Sequence, residues 1–139
     1  SRFGACLVGY NKPFTTLVRQ VKNGLPLCHL PDQDAGLRNS VFAPFFGVPA
    51  ATFAVLPRLA KMTDAVVIPC VTRQLPWGRG YEIEFRPPLK NFPTGDALAD
   101  TTRMNREIEA AVREMPEQYF WLHKRFKTRP QGEKDFYKN

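Results

Sequence analysis

A histidine and two aspartates lie close together in the segment His29-Leu-Pro-Asp-Gln-Asp34. The spacing of His29 and Asp34 suits general-base chemistry, because a carboxylate can orient an imidazole that removes the proton of an attacking hydroxyl. Two common residue types at a fixed offset also occur by chance, so a histidine at a strand end beside a polar loop is the alternative. His29 and Asp34 are therefore a candidate catalytic pair, and the distance between their side chains decides between the two alternatives.

The loop that contains this pair offers further polar groups. Asp32 and Asp34 follow a predicted strand, which is where α/β proteins place functional loops. The two carboxylates could hold arginines or line a substrate cleft, and we predict no metal at this loop. Arg38 can bind a phosphate or a carboxylate through two hydrogen bonds, and a turn held by an Asp–Arg pair is the structural alternative.

A second segment of interest is Tyr119-Phe-Trp-Leu-His-Lys-Arg-Phe-Lys-Thr-Arg129, which interleaves aromatic and basic residues. Such a segment suits an anionic amphiphile, with rings at an apolar boundary and cations on phosphates. It also suits single-stranded nucleic acid, through stacking and charge. The alternative is a terminal helix whose aromatic residues belong to the core, with His123 as a hydrogen-bonded structural histidine.

Composition restricts the class of protein and of partner. The 139 residues include 20 Lys and Arg against 13 Asp and Glu, a formal net charge of +7, which favours an anionic partner. Cys6, Cys28 and Cys70 are odd in number and widely spaced, so they form neither a disulfide framework nor a zinc pattern. A reducing, cytoplasmic environment fits them best. No apolar run approaches the roughly 18 residues of a membrane span.

The elements that must position these groups follow from periodicity. Strands are predicted at 5–10 and 25–30 around a helix that begins after Pro13 and reaches Lys22, a β–α–β start. Residues 65–71 are β-branched and apolar, as in a buried central strand, and form a hairpin with 81–85. The fold class is therefore α/β, with a mixed, partly parallel sheet covered by helices.

Three further helices are predicted in the remaining sequence. One covers 50–62, where Pro57 marks a kink or a later start. The next ends near Met115, with Asp96 or Asp100 as its N-cap. Pro116 then opens a helix reaching about residue 126. We assign 1–127 to one domain or part of one, and 128–139 to an irregular basic tail.

Several segments together resemble the bacterial lipid A biosynthesis lauroyl/myristoyl acyltransferases. The central block comprises Leu30-Pro-Asp-Gln-Asp-Ala-Gly36, Arg38-Asn-Ser-Val-Phe-Ala-Pro-Phe-Phe-Gly47 and Pro49-Ala-Ala-Thr52. The C-terminal block comprises Met104-Asn, Ile108-Glu, Pro116-Glu-Gln-Tyr119 and Trp121-Leu-His-Lys-Arg-Phe-Lys-Thr-Arg-Pro130. The order and separation of the blocks match, and the resemblance covers nearly the whole chain.

The resemblance implies a glycerolipid acyltransferase-like α/β fold and an enzyme at the cytoplasmic face of the Gram-negative inner membrane. Its family transfers a fatty acyl chain from acyl carrier protein to a hydroxyl of a Kdo-bearing lipid A precursor, without metal or organic cofactor. Carried over to this sequence, it implies that four residues flank the acceptor and catalytic cleft, namely Arg2, Asp32, Asp34 and Arg38. It implies that three others support that cleft or face phosphate and membrane, namely His123, Arg125 and Lys127.

The family's catalytic His-x4-acid motif is expected upstream of Ser1, which would make this chain a C-terminal portion, inactive alone. Two other interpretations stay open: a short active acyltransferase that uses His29 and Asp34, and a non-enzymatic basic module that binds anionic lipid or nucleic acid. With the acyltransferase interpretation we expect no nucleic-acid partner. An incomplete α/β fold bares a sheet edge and an apolar face, so we also expect a homo-oligomer.

Overall fold

The computed structural model describes residues 4–5, 8, 12–34, 36–38 and 40–138. The predicted strand at 5–10 falls largely outside these residues, and so does Arg2. Three α-helices and two antiparallel hairpins make up the described part, which confirms a mixed α/β chain. None of its helices has the length and apolar character needed to cross a membrane.

The first helix, α1 (Phe14–Lys22), begins directly after Pro13, as predicted. A hairpin follows, formed by β1 (Ser40–Phe45) and β2 (Val48–Phe53). Its two-residue turn is Phe46–Gly47, and both residues have positive φ, 49° and 78°. This is the backbone that matches the twist of a two-residue hairpin. Glu109 stabilises the unusual conformation, because its carboxylate accepts a 2.8 Å hydrogen bond from the Phe46 N–H.

The second helix, α2 (Val55–Thr63), starts later than the predicted residue 50. Pro57 lies in its first turn, where a missing N–H costs nothing. The predicted helical start at 50–53 is wrong, because these residues pair with β1 as β2. Ala43 and Ala50 lie opposite each other in that hairpin, and both are fully buried.

The third helix, α3 (Ala97–Glu114), is the longest and packs against β1. Asp96 caps it, and its carboxylate accepts 2.9 Å hydrogen bonds from the N–H groups of Leu98 and Ala99. Asp100, the other predicted cap, is buried and accepts instead from the backbone and hydroxyl of Thr94. The β1–β2 hairpin, α2 and α3 share one small core: Ala43, Phe45, Ala50, Ala51, Leu59, Ala60, Met104, Val112 and Met115.

The second hairpin pairs β3 (Cys70–Gln74) with β4 (Tyr81–Phe85). The hairpin itself was predicted, but a buried central strand at 65–71 was not correct. The strand begins only at Cys70, and its residues alternate between exposed and half-buried, so it is not a buried strand. Within the described residues it has one strand neighbour. The side chains of β4 are exposed along its whole length.

Two other predictions differ from the structure. Residues 25–30 contain no strand, and both described sheets are antiparallel, so the expected parallel sheet is not found in this part of the chain. The helix expected from Pro116 to about 126 is only a 3₁₀ turn, Pro116–Gln118. The backbone of Tyr119 is extended. The indole N–H of Trp121 donates to the Pro116 carbonyl at 2.7 Å, so this carbonyl is occupied by a side chain where a longer helix would bond it to a backbone N–H.

Candidate functional site

Asp34 is held by a dense set of hydrogen bonds. Its carboxylate accepts from the Gly36 N–H at 2.9 Å, and from the backbone N–H and the hydroxyl of Thr128, both at 2.8 Å. Its own backbone N–H donates to Nε2 of His123 at 3.1 Å. No hydrogen bond joins Asp34 to His29 among the described residues. Asp34 therefore fastens its loop to the C-terminal segment, and the predicted His29–Asp34 pair is not assembled.

His123 accepts one of the hydrogen bonds that join this loop to the C-terminal segment. Since Nε2 receives the Asp34 N–H, the ring is the neutral tautomer with its proton on Nδ1. A neutral imidazole that accepts a backbone hydrogen bond serves to position the loop. This agrees with the structural interpretation of His123 from sequence.

Arg125 is buried, with 3% of its surface exposed. Its guanidinium donates to the Ala51 carbonyl at 2.9 Å and to the Thr52 hydroxyl at 2.6 Å, and lies 5.3 Å from the centre of the Phe45 ring. Burial lowers the pKa of this guanidinium, and the nearby Tyr119, Asp32 and Asp34 oppose that shift. Arg125 therefore joins the C-terminal segment to β2 as a buried cation.

The remaining predicted cations are less enclosed. Arg38 and Lys127 are exposed, where they can meet a ligand or solvent. Arg129, which was not predicted as a site residue, donates to the Pro49 carbonyl at 2.6 Å and contacts Glu133. Arg125 and Arg129 thus bind the carbonyls of Ala51 and Pro49 in β2. Among the described residues, Arg38 and Lys127 are the accessible cations of the predicted set.

The Asp32 carboxylate lies near the imidazole of His29 and the phenol of Tyr119. Burial lowers the pKa of His29 below its ordinary value, and the Asp32 carboxylate partly opposes this. Burial, and next the same carboxylate, raise the pKa of the Tyr119 phenol well above its ordinary value. Neither Nε2 of His29 nor the hydroxyl of Tyr119 has a hydrogen-bond partner within the described residues. Asp32, His29 and Tyr119 therefore form a polar cluster with unused hydrogen-bonding capacity.

This polar cluster borders an apolar cleft of about 530 Å³. Segments 27–32, 67–72 and 118–120 form its walls together with one face of α3. Most of its lining is apolar, including Leu30, Ile68, Leu89, Ile108, Ala111 and Val112. Such a surface is suited to a hydrocarbon chain, with His29, Asp32 and Tyr119 among its polar members.

A family model described as bacterial lipid A biosynthesis acyltransferase matches residues 1–128. The chain belongs to this family. The match confirms the resemblance that the two sequence blocks indicated, and it includes every site residue that was predicted from the sequence.

Several curated members of the family are similar to this chain. The lipid A biosynthesis lauroyltransferase of Escherichia coli is 41% identical over 122 residues, 87% of this chain and 40% of that protein. The palmitoleoyltransferase and the myristoyltransferase of the same organism are 34% and 36% identical over 137 residues, covering 44% and 42% of their own lengths. The chain therefore spans about two fifths of the length of these curated relatives.

Among the described residues, the structure gives the predicted site residues different surroundings. Asp34 and His123 join the loop to the C-terminal segment, Arg125 joins that segment to β2, and Asp32 lines the cleft. Thr128, Tyr119 and Arg129 were missed by sequence reasoning, although the C-terminal block contains all three. No group of His, Cys, Asp or Glu able to hold a metal ion occurs among the residues the structure describes.

Proposed function

We propose that this chain is part of an enzyme that transfers a fatty acyl chain from acyl carrier protein to a hydroxyl of a Kdo-bearing lipid A precursor. We place the enzyme at the cytoplasmic face of the bacterial inner membrane, with a glycerolipid acyltransferase-like core in the complete protein. The relatives named as lauroyl-, myristoyl- and palmitoleoyltransferases support the reaction class. The net charge of +7 suits two anionic partners, a phosphorylated lipid and an acidic carrier protein.

The observation that carries this proposal is the apolar cleft that Asp32, His29 and Tyr119 border. Both substrates present acyl chains, and an apolar wall gains about 25 cal/mol for each Å² of hydrocarbon it removes from water. A polar cluster beside that wall can receive the hydroxyl or carbonyl at which the reaction takes place. We assign Asp32 to the acceptor side, with Tyr119 as a neutral hydrogen-bond donor.

The chemistry requires a base that removes the proton of the acceptor hydroxyl while its oxygen attacks the thioester carbonyl. The ester bond forms, the carbon–sulfur bond breaks, and the carrier thiol leaves with the proton. His29 is not assigned this role, because the carboxylate that would orient it is bonded to Thr128. We propose that the base is a His-x4-acid pair in sequence that lies outside these 139 residues, so that this chain alone is inactive.

The test is acyl transfer from acyl carrier protein to the Kdo-lipid A precursor, followed by mass spectrometry. It compares this chain, its His29→Ala variant and a longer chain that includes the upstream coding sequence. We expect product only from the longer chain, and within that chain we expect Asp32→Asn to reduce turnover by about a hundredfold or more. Turnover by this chain that disappears in His29→Ala would instead make His29 the base.

We also propose that this chain forms a homo-oligomer. Tyr81, Ile83 and Phe85 lie along one face of β4 and are all exposed, as the expected bare apolar face would be. We expect an oligomer in light scattering across a concentration series, and a monomer at every concentration would contradict this.

A further inference from the structure

The tip of the β3–β4 hairpin presents a tryptophan to solvent. Trp77 lies in the 3₁₀ turn Pro76–Gly78 that joins the two strands, and 95% of its surface is exposed. Its backbone is left-handed, with φ at 59°. An L residue adopts this conformation at an energetic cost, and the exposed indole recovers nothing by packing within the described chain.

A pair of hydrogen bonds ties this hairpin to a second exposed apolar segment. The Gln74 N–H donates to the Gln118 side-chain carbonyl at 2.8 Å, and the Gln118 amide donates back to the Gln74 carbonyl at 3.2 Å. Gln74 ends β3 just before the hairpin tip, and Gln118 just precedes Phe120, Trp121 and Leu122. Phe120 is 67% exposed and Leu122 is 85% exposed. The two hydrogen bonds between Gln74 and Gln118 therefore join segments 75–81 and 118–127, which both contain exposed apolar side chains.

The charged residues of these two segments are all cations: Arg79, Lys124, Arg125 and Lys127. Arg125 is buried, while the other three are exposed. Glu82 and Glu117 flank the segments in sequence without belonging to them. Exposed aromatic and aliphatic groups among cations match a bilayer interface with anionic headgroups.

We propose that segments 75–81 and 118–127 form the surface with which this chain enters the interface of an anionic phospholipid bilayer. Trp77 and Leu122 insert between the lipids, while Arg79, Lys124 and Lys127 contact phosphate groups. The composition favours a bilayer over single-stranded nucleic acid, because the most exposed members include an aliphatic side chain, which offers no ring for stacking on a base. The proposal rests on the membrane setting of the proposed function and names the surface that provides it.

The experiment is sedimentation of the 139-residue chain with vesicles of phosphatidylcholine alone, or mixed equally with phosphatidylglycerol. We expect binding to the anionic vesicles only. Trp77→Ala and Leu122→Ala should each weaken it about tenfold. Lys124→Gln together with Lys127→Gln should weaken it about twenty-five-fold, which is about fivefold for each cation. Leu98→Ala is the matched control, since Leu98 is 49% exposed in the first turn of α3, at the opposite end of that helix from segment 118–127. A loss in Leu98→Ala equal to that in Trp77→Ala would overturn the proposal.

A second measurement reads the depth of Trp77 directly. The chain contains two tryptophans, so the difference between the wild-type and Trp77→Ala emission spectra isolates Trp77. We expect a blue shift on anionic vesicles and quenching by brominated acyl chains. Absence of both, or binding to poly-uridine RNA or to acyl carrier protein without binding to vesicles, would overturn the proposal. Vesicle binding and tryptophan emission require no enzymatic turnover, and acyl transfer to a detergent-dispersed precursor requires no bilayer. A negative result for the membrane surface is therefore distinguishable from a negative result for the acyltransferase function.

Discussion

Thr128 and Asp34 are joined by two hydrogen bonds of 2.8 Å across 94 positions of sequence. The backbone N–H of Thr128 donates to one carboxylate oxygen, and its hydroxyl donates to the other. The C-terminal segment beyond Pro116–Gln118 contains no helix or strand among the described residues up to 138, so side-chain bonds of this kind position it. Asp34 is consequently a structural partner, and Asp32 is the carboxylate left for the cleft.

Thr128→Val tests this contact, because it retains the backbone bond and nearly the same volume but removes the hydroxyl donor. We expect the free energy of unfolding to fall by about 1.5–3 kcal/mol, the usual value of a hydrogen bond to a charged group. Urea denaturation measures the change. Thr128→Ser retains the hydroxyl and should lose less than about 0.5 kcal/mol. Equal losses in the two variants would contradict a role for the hydroxyl.

Arg125→Lys tests the buried cation. An ammonium cannot reproduce the planar fork that reaches the Ala51 carbonyl and the Thr52 hydroxyl together, although it retains the charge. We expect a loss of about 2–4 kcal/mol in the free energy of unfolding, because a buried charge is left poorly paired. Arg73→Lys is the control, since Arg73 is partly exposed and its ion pair with Glu114 is 3.8 Å long. The control should change by less than about 0.5 kcal/mol, and a comparable loss in both variants would contradict the prediction.

The elements that could be predicted from the sequence are those with local signals. The α3 helix has a long apolar stripe, an aspartate cap and a terminating proline, and the β3–β4 hairpin has alternating residues around a turn. The β2 strand was missed because Ala50 and Ala51 favour helix locally. Their burial beside β1 under α3 overrides that propensity.

The candidate site also contains features that local sequence predicts and features that only the folded chain determines. The spacing of His29 and Asp34 is local, and it indicated a pair that the fold does not assemble. What decides the role of Asp34 is Thr128, a residue whose proximity depends on the path of the whole chain. The burial that perturbs the pKa values of His29 and Tyr119 is likewise a tertiary property, without a signal in the spacing.

Asp96→Ala tests the cap of α3. The change removes the acceptor of two backbone N–H groups at the first turn, and we expect the free energy of unfolding to fall by about 1 kcal/mol. Asp96→Ser restores an oxygen at the same position and should recover most of the loss. Chemical denaturation of the three proteins checks this. A serine variant as unstable as the alanine variant would show that the side-chain oxygen does not act as a cap.

The pH dependence of stability tests the environment of His29. Because burial lowers its pKa in the folded chain, the unfolded chain binds the proton at a higher pH. The contribution of neutral His29 is therefore complete above the unfolded pKa of about 6.5 and decreases as the pH falls through the window below it. Within that window the loss reaches up to about 1.4 kcal/mol for each pH unit.

Urea denaturation of the wild type and His29→Gln at about pH 7.5 and about pH 5.5 measures this contribution. We expect the free energy of unfolding to depend less on pH in His29→Gln. Asp32→Asn supplies the second comparison, since it removes the carboxylate that opposes the shift, and the pKa of His29 followed by NMR should then fall further. An unchanged pH dependence in His29→Gln, or a His29 pKa that rises in Asp32→Asn, would contradict the proximity of Asp32 to a half-buried imidazole with a lowered pKa.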